Sequence, residues 1–366
     1  MRLPTLAVAV LTCSLAQPAL ADIAVGVAGP MSGAFAVLGA QVRAGAEAAI
    51  ADVNTAGGVL GQHLVLVVAD DACDAKQAIT AAGELTAKKV ALVVGHLCSS
   101  ASIPASAIYF DAGVIQISPA STNPAYTDNR PGAGTFRVCG RDDEQGEIAG
   151  AFLANRFPGK NIAIVDDKSP YGKGLADQTR KSFNAAGGKE VFDDEYTPGA
   201  TDYTALVSRL KAADAEVTYV GGYAADAGLL ARQMKDQDMT TVVIGGDALA
   251  TEDFLKAAGD AGDGTFMTFP PDARKNPENA ALVDRFRKQG VEPEGYTLNA
   301  YAAVQVWAAA ATSAASTAFN KVAPAIAAGD FTTALGNLKF DAKGDLSNPG
   351  YVFYQWKNGD FRALTP

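Results

Sequence analysis

Short apolar runs of strand length alternate with longer segments of helical spacing along nearly the whole chain, and this alternation leaves few folds open. Residues 23–28, 64–69, 90–94 and 114–117 read as strands, with helical spacing over 40–54, over 74–88 and from Ser99 onward. Around residues 137–145 the pattern pauses and then restarts. Residues 162–165, 191–192, 217–220 and 242–244 read as strands, and 172–186, 203–213 and 225–236 as helices. Parallel strands need long crossovers, and helical crossovers cover both faces of the sheet. Two such blocks predict an α/β protein with two doubly wound parallel-sheet lobes. A helical stretch over 296–328 follows, and Asn358-Gly359 between two short apolar runs predicts a terminal hairpin.

The chemistry gathers at the strand ends. In the first block strands run into Gly95-His96-Leu97-Cys98-Ser99-Ser100 and Ser118-Pro119-Ala120-Ser121-Thr122. In the second they run into Gly221-Gly222-Tyr223 and Gly245-Gly246-Asp247. Glycine lets backbone approach a ligand closely, and the first N–H groups of the next helix lack partners within it. Ligands of open α/β sheets bind beyond the carboxyl ends of the strands, so two facing sets of ends predict a cleft. The hydroxyls of Ser99, Ser100, Ser121 and Thr122 suit two roles there. They can cap helices, worth ~1 kcal/mol each, or seat a carboxylate at a positive helix end. Asp247 is open to the same two kinds of reading, as an N-cap or as the partner of a ligand ammonium.

Other chemistries find little support. No G-x-S-x-G elbow occurs, Gly57-Gly58-Val59-Leu60-Gly61 lacks the Lys-Ser/Thr of a phosphate loop, and Gly29-Pro30-Met31-Ser32-Gly33 is no dinucleotide fingerprint. The pairs Asp70-Asp71, Asp166-Asp167 and Asp193-Asp194 are consecutive and so diverge, making poor acid–base pairs; solvated turns are their expected place. His63 and His96 are the only histidines, without CxxC or HxxxH spacing, so no metal and no cofactor are expected. A binding protein, not an enzyme, is the expectation.

Arg2, the apolar residues 6–15 and Ala19-Leu20-Ala21 have the anatomy of a signal peptide spanning residues 1–21, cleaved after Ala21 on export to the periplasm. The apolar run falls short of the ~20 residues a bilayer span needs. The alternative, a lipid anchor at Cys13, is disfavoured by Thr12 before it. The remaining 345 residues carry 29 basic and 40 acidic side chains and no basic block, which argues against nucleic acid as a partner. Of the three remaining cysteines, Cys73 and Cys98 each follow the end of one of two successive strands, expected to be neighbours, and so favour a disulfide in an oxidising compartment. Cys139 is left as a buried thiol.

Met31-Ser32-Gly33, Gly45-Ala46-Glu47, Asp70-Asp71-Ala72-Cys73, residues 95–100 and residues 119–122 occur in an order that resembles the periplasmic branched-chain (Leu/Ile/Val-type) amino-acid-binding proteins of ABC importers. The likeness continues through residues 167–175 (DKSPYGKGL), Gly221-Gly222-Tyr223, Tyr301-Ala302-Ala303 and residues 341–346 (DAKGDL). The resemblance implies a type I periplasmic binding fold with a three-segment hinge near Arg141, Pro270 and Val352. Lobe one would comprise 22–140 plus 271–351, and lobe two 141–270 plus 352–366. It implies that Ser99, Thr122 and the Ala120 carbonyl hold the ligand's carboxylate and ammonium from lobe one, while Tyr223 and Asp247 close from lobe two. Leu97, Cys98, Ser121, Tyr171 and Tyr296 would wall the side-chain pocket, and the Cys73–Cys98 bridge is shared with the family. The implied protein is a monomer that passes a small amino acid to the permease of an ABC importer. A same-fold sensor for a receptor, or a binder of amides or aromatic and organic acids, is the alternative. Leu38 stands where the family often has Tyr, Asp247 where many members have Glu, and Tyr296 where leucine binders have Phe. These departures leave the particular amino acid open.

Overall fold

A computed structural model of the chain describes residues 21–364. The leader assigned to residues 1–21 lies, Ala21 apart, outside the described residues. No helix among those residues is long and apolar enough to cross a membrane.

The first block forms β1 (Ile23–Gly29), α1 (Ala36–Thr55), β2 (Leu64–Asp70), α2 (Ala75–Ala87), β3 (Leu92–Val94), α3 (Ser99–Asp111), β4 (Ile115–Ser118), the short α4 (Ala125–Asp128) and β5 (Thr135–Arg137). Its sheet runs β2-β1-β3-β4-β5, all parallel. β1, β3 and β4 are buried almost throughout because helices cover both faces, which explains their unbroken apolar runs.

The second block forms α5 (Asp142–Arg156), β6 (Ile162–Asp166), α6 (Pro170–Ala185), β7 (Phe192–Glu195), α7 (Thr204–Ala212), β8 (Val217–Gly221), α8 (Ala224–Asp236), β9 (Val242–Gly245), α9 (Glu252–Ala258) and β10 (Phe266–Phe269). After them come α10 (Ala280–Lys288), α11 (Thr297–Ser313), α12 (Phe319–Ala328), β11 (Phe331–Thr333), β12 (Gly336–Leu338), β13 (Val352–Lys357) and β14 (Asp360–Ala363). The second sheet runs β14-β13-β10-β9-β8-β6-β7, parallel except where β13 pairs antiparallel with β10 and with β14. Its parallel part repeats the order of the first sheet, with β6 in the place of β1. The edge strand β7 alternates half-buried with exposed residues and turns Asp193 and Glu195 outward, charges that discourage pairing with another chain. Asn358 and Gly359 both take positive φ in the β13–β14 turn, as the hairpin signal requires.

Three expectations change. The stretch over 296–328 is two helices. α11 ends with Ala315 at φ 48° while the Ser316 N–H returns to the Ala311 carbonyl, a helix-closing turn made without glycine. The pause over 137–145 conceals β5 and the start of α5. The buried face of α5 is Gly146, Ala149, Gly150 and Leu153, too small to give an apolar stripe, because α5 packs almost backbone to backbone on α6. A Cβ on Gly146 or Gly150 would collide with the α6 backbone around Thr179 and Phe183. The acidic pairs are not all in solvated turns: Asp71, Asp166 and Asp167 are buried.

Candidate functional site

The carboxyl ends of the two sheets face each other across a small cavity. Leu97 and Ser99 reach it from beyond β3, Ala120 from beyond β4, and Leu38 from the first turn of α1. From the second sheet come Tyr171 at the start of α6, Tyr223 beyond β8 and Asp247 beyond β9. Tyr296 enters from the cap of α11, the helix packed on α1. Gln41, Ala248, Ala250, Thr251 and Gly295 complete the wall.

Asp247 is the most heavily bonded group of the cavity. It opens a single 3-10 turn instead of capping a helix, and it is only 3% exposed. Oδ1 accepts from Tyr171 Oη at 2.8 Å and Gln145 Nε2 at 2.9 Å, and Oδ2 accepts from the Tyr296 hydroxyl across the cleft. The Gln145 amide is fixed in orientation, since its oxygen accepts from Thr268 Oγ1 at 2.6 Å and from the Asp247 N–H at 2.9 Å. Burial pushes the Asp247 carboxyl up to about 6, and the bonds from Gln145 and Tyr171 only partly oppose it. No lysine or arginine lines the cavity. An unpaired carboxylate in such a place attracts a cationic group and repels a simple acid.

The opposite wall offers neutral donors. Ser99 Oγ accepts from the Asn123 N–H at 3.2 Å, which leaves its own proton free. Neither Ser99 nor Ser100 caps α3: Cys98 is the N-cap residue, without a side-chain bond, and Ser100 Oγ donates to the Cys73 carbonyl at 2.8 Å. Cys98, Ser121 and Thr122 stand behind the cavity wall, fully or almost fully buried. Ser121 Oγ donates to the Leu97 carbonyl at 3.0 Å and pairs with Ser102 Oγ at 2.6 Å. The His96 carbonyl accepts from Ser118 Oγ at 2.7 Å, while its ring joins Asp71 and Tyr109 in a buried chain. These bonds weld the two loops that carry Leu97, Ser99 and Ala120.

Cys73 and Cys98 are disulfide-bonded, with their Cα atoms 5.4 Å apart. The pairing is as expected but its premise is not: β1 lies between β2 and β3, and the loops beyond those strands meet over its end. Cys139 is a buried free thiol, and burial raises it far above the ordinary range. No cluster able to hold a metal ion occurs among the described residues.

Sequence reasoning missed Gln41, Thr251, Gln145 and Glu294. Thr251 Oγ1 donates to Glu294 Oε1 at 2.7 Å and the Glu252 N–H to Oε2 at 2.9 Å, a second tie between the two sides of the cleft. Gln145 carried no signal because α5 itself went unread, and Glu294 sits in a loop without periodicity.

Two α/β units of one strand order, facing each other across a small cavity with one carboxylate and several hydroxyls, define a two-lobed solute-binding protein. Residues 22–360 match the family described as periplasmic binding protein, and the chain belongs to that family. It is 46% identical over 342 residues to "Leu/Ile/Val-binding protein homolog 1" of Brucella melitensis, covering 93% of this chain and 92% of that one. A leucine-binding protein from Thermotoga maritima superposes with a TM-score of 0.86 at 25% identity, covering 94% of this chain and 98% of that one. The branched-chain amino acid transporter substrate-binding protein of Streptococcus pneumoniae, solved with isoleucine, gives 0.85 at 27% identity, covering 94% and 100%.

Proposed function

We propose that the protein, exported and cleaved after Ala21, captures a small or aliphatic amino acid by lobe closure and delivers it to the permease of an ABC importer. Lobe one is 22–140 plus 271–351 and lobe two 141–270 plus 352–366, with crossings near Arg141, Pro270 and Val352. The observation that carries the reading is Asp247, a buried carboxylate in a cavity without cationic side chains, facing the free Ser99 hydroxyl beside the start of α3. Asp247 holds the ammonium, while Ser99 and the Ala120 loop hold the carboxylate, with Thr122 supporting that loop from behind the wall. Tyr171, Tyr223 and Tyr296 enclose the side chain. The names of the Brucella and Thermotoga proteins and the isoleucine held by the Streptococcus protein agree with this ligand class. The Tyr296 hydroxyl, bonded to Asp247, takes polar room from the apolar end, and alanine, proline and γ-aminobutyrate therefore belong beside leucine in a panel. Calorimetric titration of the mature protein with amino acids, their amides and their deaminated acids tests the reading. Amino acids should bind and deaminated acids should not; equal binding of both would refute the role of Asp247.

A further inference from the structure

Glu294 belongs to the first α/β unit yet spends its side chain on the second. It lies in the loop between α10 and α11. Arg285 of α10 pairs with Asp52 of α1 through bonds of 2.6 and 2.5 Å, and α11 packs along α1, so both ends of that loop are held to the first unit. The Glu294 carboxylate accepts from Thr251 Oγ1 at 2.7 Å and from the Glu252 N–H at 2.9 Å. Both donors stand at the start of α9, which packs on α8 in the second unit. The carboxylate is therefore bonded from across the cleft.

The surroundings are built for this contact. Glu294 is only 9% exposed and does not itself line the cavity, while Gln41, Thr251, Gly295 and Tyr296 beside it do. Thr251 is the N-cap residue of α9 but does not turn its hydroxyl onto its own helix; the proton goes to Glu294 instead. Gln41 Nε2 stands 3.4 Å from both Thr251 Oγ1 and Glu294 Oε1 and closes the seam from α1. Two residues beyond Glu294, the Tyr296 hydroxyl reaches Asp247 in the same second unit. Gly295 between them takes φ 53°, and a Cβ there would strike the Gln41 amide oxygen. Glycine thus lets one tight turn send two side chains across the cleft. Tyr296 ends on a ligand-site residue, whereas Glu294 ends on the start of α9.

Resting on the lobe-closure reading of the cavity, we infer that Glu294 is a positioning residue that latches the lobes shut and sets affinity without choosing among ligands. In an open cleft the carboxylate, the Thr251 hydroxyl and the Glu252 N–H all bond to water. Closure exchanges those bonds for two charge-assisted ones in a buried seam. A ligand leaves only after that exchange is undone, so the latch acts on dissociation. Without the carboxylate, closure would bury the Thr251 hydroxyl and the Glu252 N–H with no acceptor. That cost is the same for every ligand, since Glu294 touches none. Asn123 Nδ2 also donates across the cleft to the Pro170 carbonyl at 2.6 Å, and Phe35 packs on Tyr223, so losing the latch weakens binding without abolishing it.

Glu294→Ala in the intact mature protein, titrated with leucine, alanine and proline, tests the latch. Every probe that wild type binds should lose affinity by one common factor, about tenfold or more. Stopped-flow mixing should show dissociation faster by about that factor and association little changed. The melting temperature without ligand should stay within a few degrees of wild type, because the open protein does not make these bonds. In the Glu294→Ala background Thr251→Val should cost little more, since that hydroxyl acts through Glu294. Wild-type affinity or an unchanged dissociation rate in the Glu294→Ala protein overturns the inference. A loss that differs among the probes also overturns it, by placing Glu294 in the side-chain pocket. So does a large fall in the unliganded melting temperature, which would make Glu294 a support of the fold. Failure of wild type to bind any of the three probes is a different result, which removes the functional reading and this inference with it.

Discussion

Replacing Asp247 by Asn separates its charge from its shape. The three donors on this carboxylate, Gln145, Tyr171 and Tyr296, come from both sides of the cleft. An Asn side chain of nearly the same outline keeps one oxygen for Gln145 and Tyr171, and its amide nitrogen can donate to the Tyr296 oxygen. The fold therefore survives, and burying an amide is easier than burying an unpaired charge. What disappears is the proposed charge-assisted contact to a ligand ammonium, at a residue that is only 3% exposed. Losing one partner of a buried pair costs ~2–5 kcal/mol, and the retained oxygen places this case in the lower part of that range, ~2–4 kcal/mol. That is about 30- to 800-fold in Kd. Titrating wild type and variant with one amino acid and its deaminated acid measures it. Wild type should strongly prefer the amino acid, and the variant should lose most of that preference while keeping its melting temperature within a few degrees. An Asp247→Asn protein that binds the amino acid as wild type does would show that the ammonium lies elsewhere, and the orientation argued for the ligand would be wrong.

Tyr296→Phe removes the hydroxyl bonded to Asp247 and enlarges the apolar end; competition titration should show leucine or isoleucine gaining on alanine or proline, and an unchanged ranking would count against Tyr296 as a selector. Replacing both Cys73 and Cys98 by Ser opens a cross-link between residues 25 positions apart. The lost constraint on the unfolded chain is worth about 3.5 kcal/mol, to be read as a lower urea midpoint; an unmoved midpoint would contradict it. Asp167 is almost wholly buried, one of its oxygens is unpartnered, and burial raises it to about 6. Because its pKa in the folded protein exceeds the ordinary ~3.9, the folded state binds the extra proton between about pH 4 and 6. Stability from this group is therefore greatest below that window and is lost as pH rises through about 6. Asp167→Asn should accordingly raise the melting temperature at pH 8 more than at pH 4, and an equal shift at both would refute the sign.

The architecture was legible because parallel strands buried on both faces must be apolar throughout, and glycines mark where they end; β1, β3, β4, β6, β8 and β9 carried that signature. β5 has polar residues on both sides of Phe136 and β10 is broken by Thr268, and α5 hides its buried face in glycine and alanine. Loop positions at strand ends were legible for the same reason, and eight of the eleven residues proposed for the site line the cavity. The other three show where such reading stops. Cys98, Ser121 and Thr122 lie on the right loops but behind the wall, and only the packed structure settles which residues of a loop face the cavity. Gln145 and Glu294 reach the cleft by a helix and a loop whose sequences carry no period pointing there.

Repeating one strand order in two units does not make the site symmetric. Beyond β3 and β4 the chain presents hydroxyls and the unpaired N–H groups near the start of α3, a thirteen-residue helix whose positive end favours an anion. Beyond β9 it presents a carboxylate carried by a short turn and bonded by the Gln145 amide and the Tyr171 hydroxyl. A zwitterion bound between them has one favourable orientation, and a group lacking either charge leaves one wall unsatisfied. On the proposed reading, closure works as a test of the ligand. The second wall can come up against the first at low cost only when an ammonium meets Asp247 while a carboxylate meets Ser99, because each unmet charge or donor would be buried without a partner. On the same reading side-chain size is judged separately, by Leu38, Tyr223 and Tyr296 in the cavity wall, so that ligand class is argued from charge while the particular amino acid depends on the room those three leave.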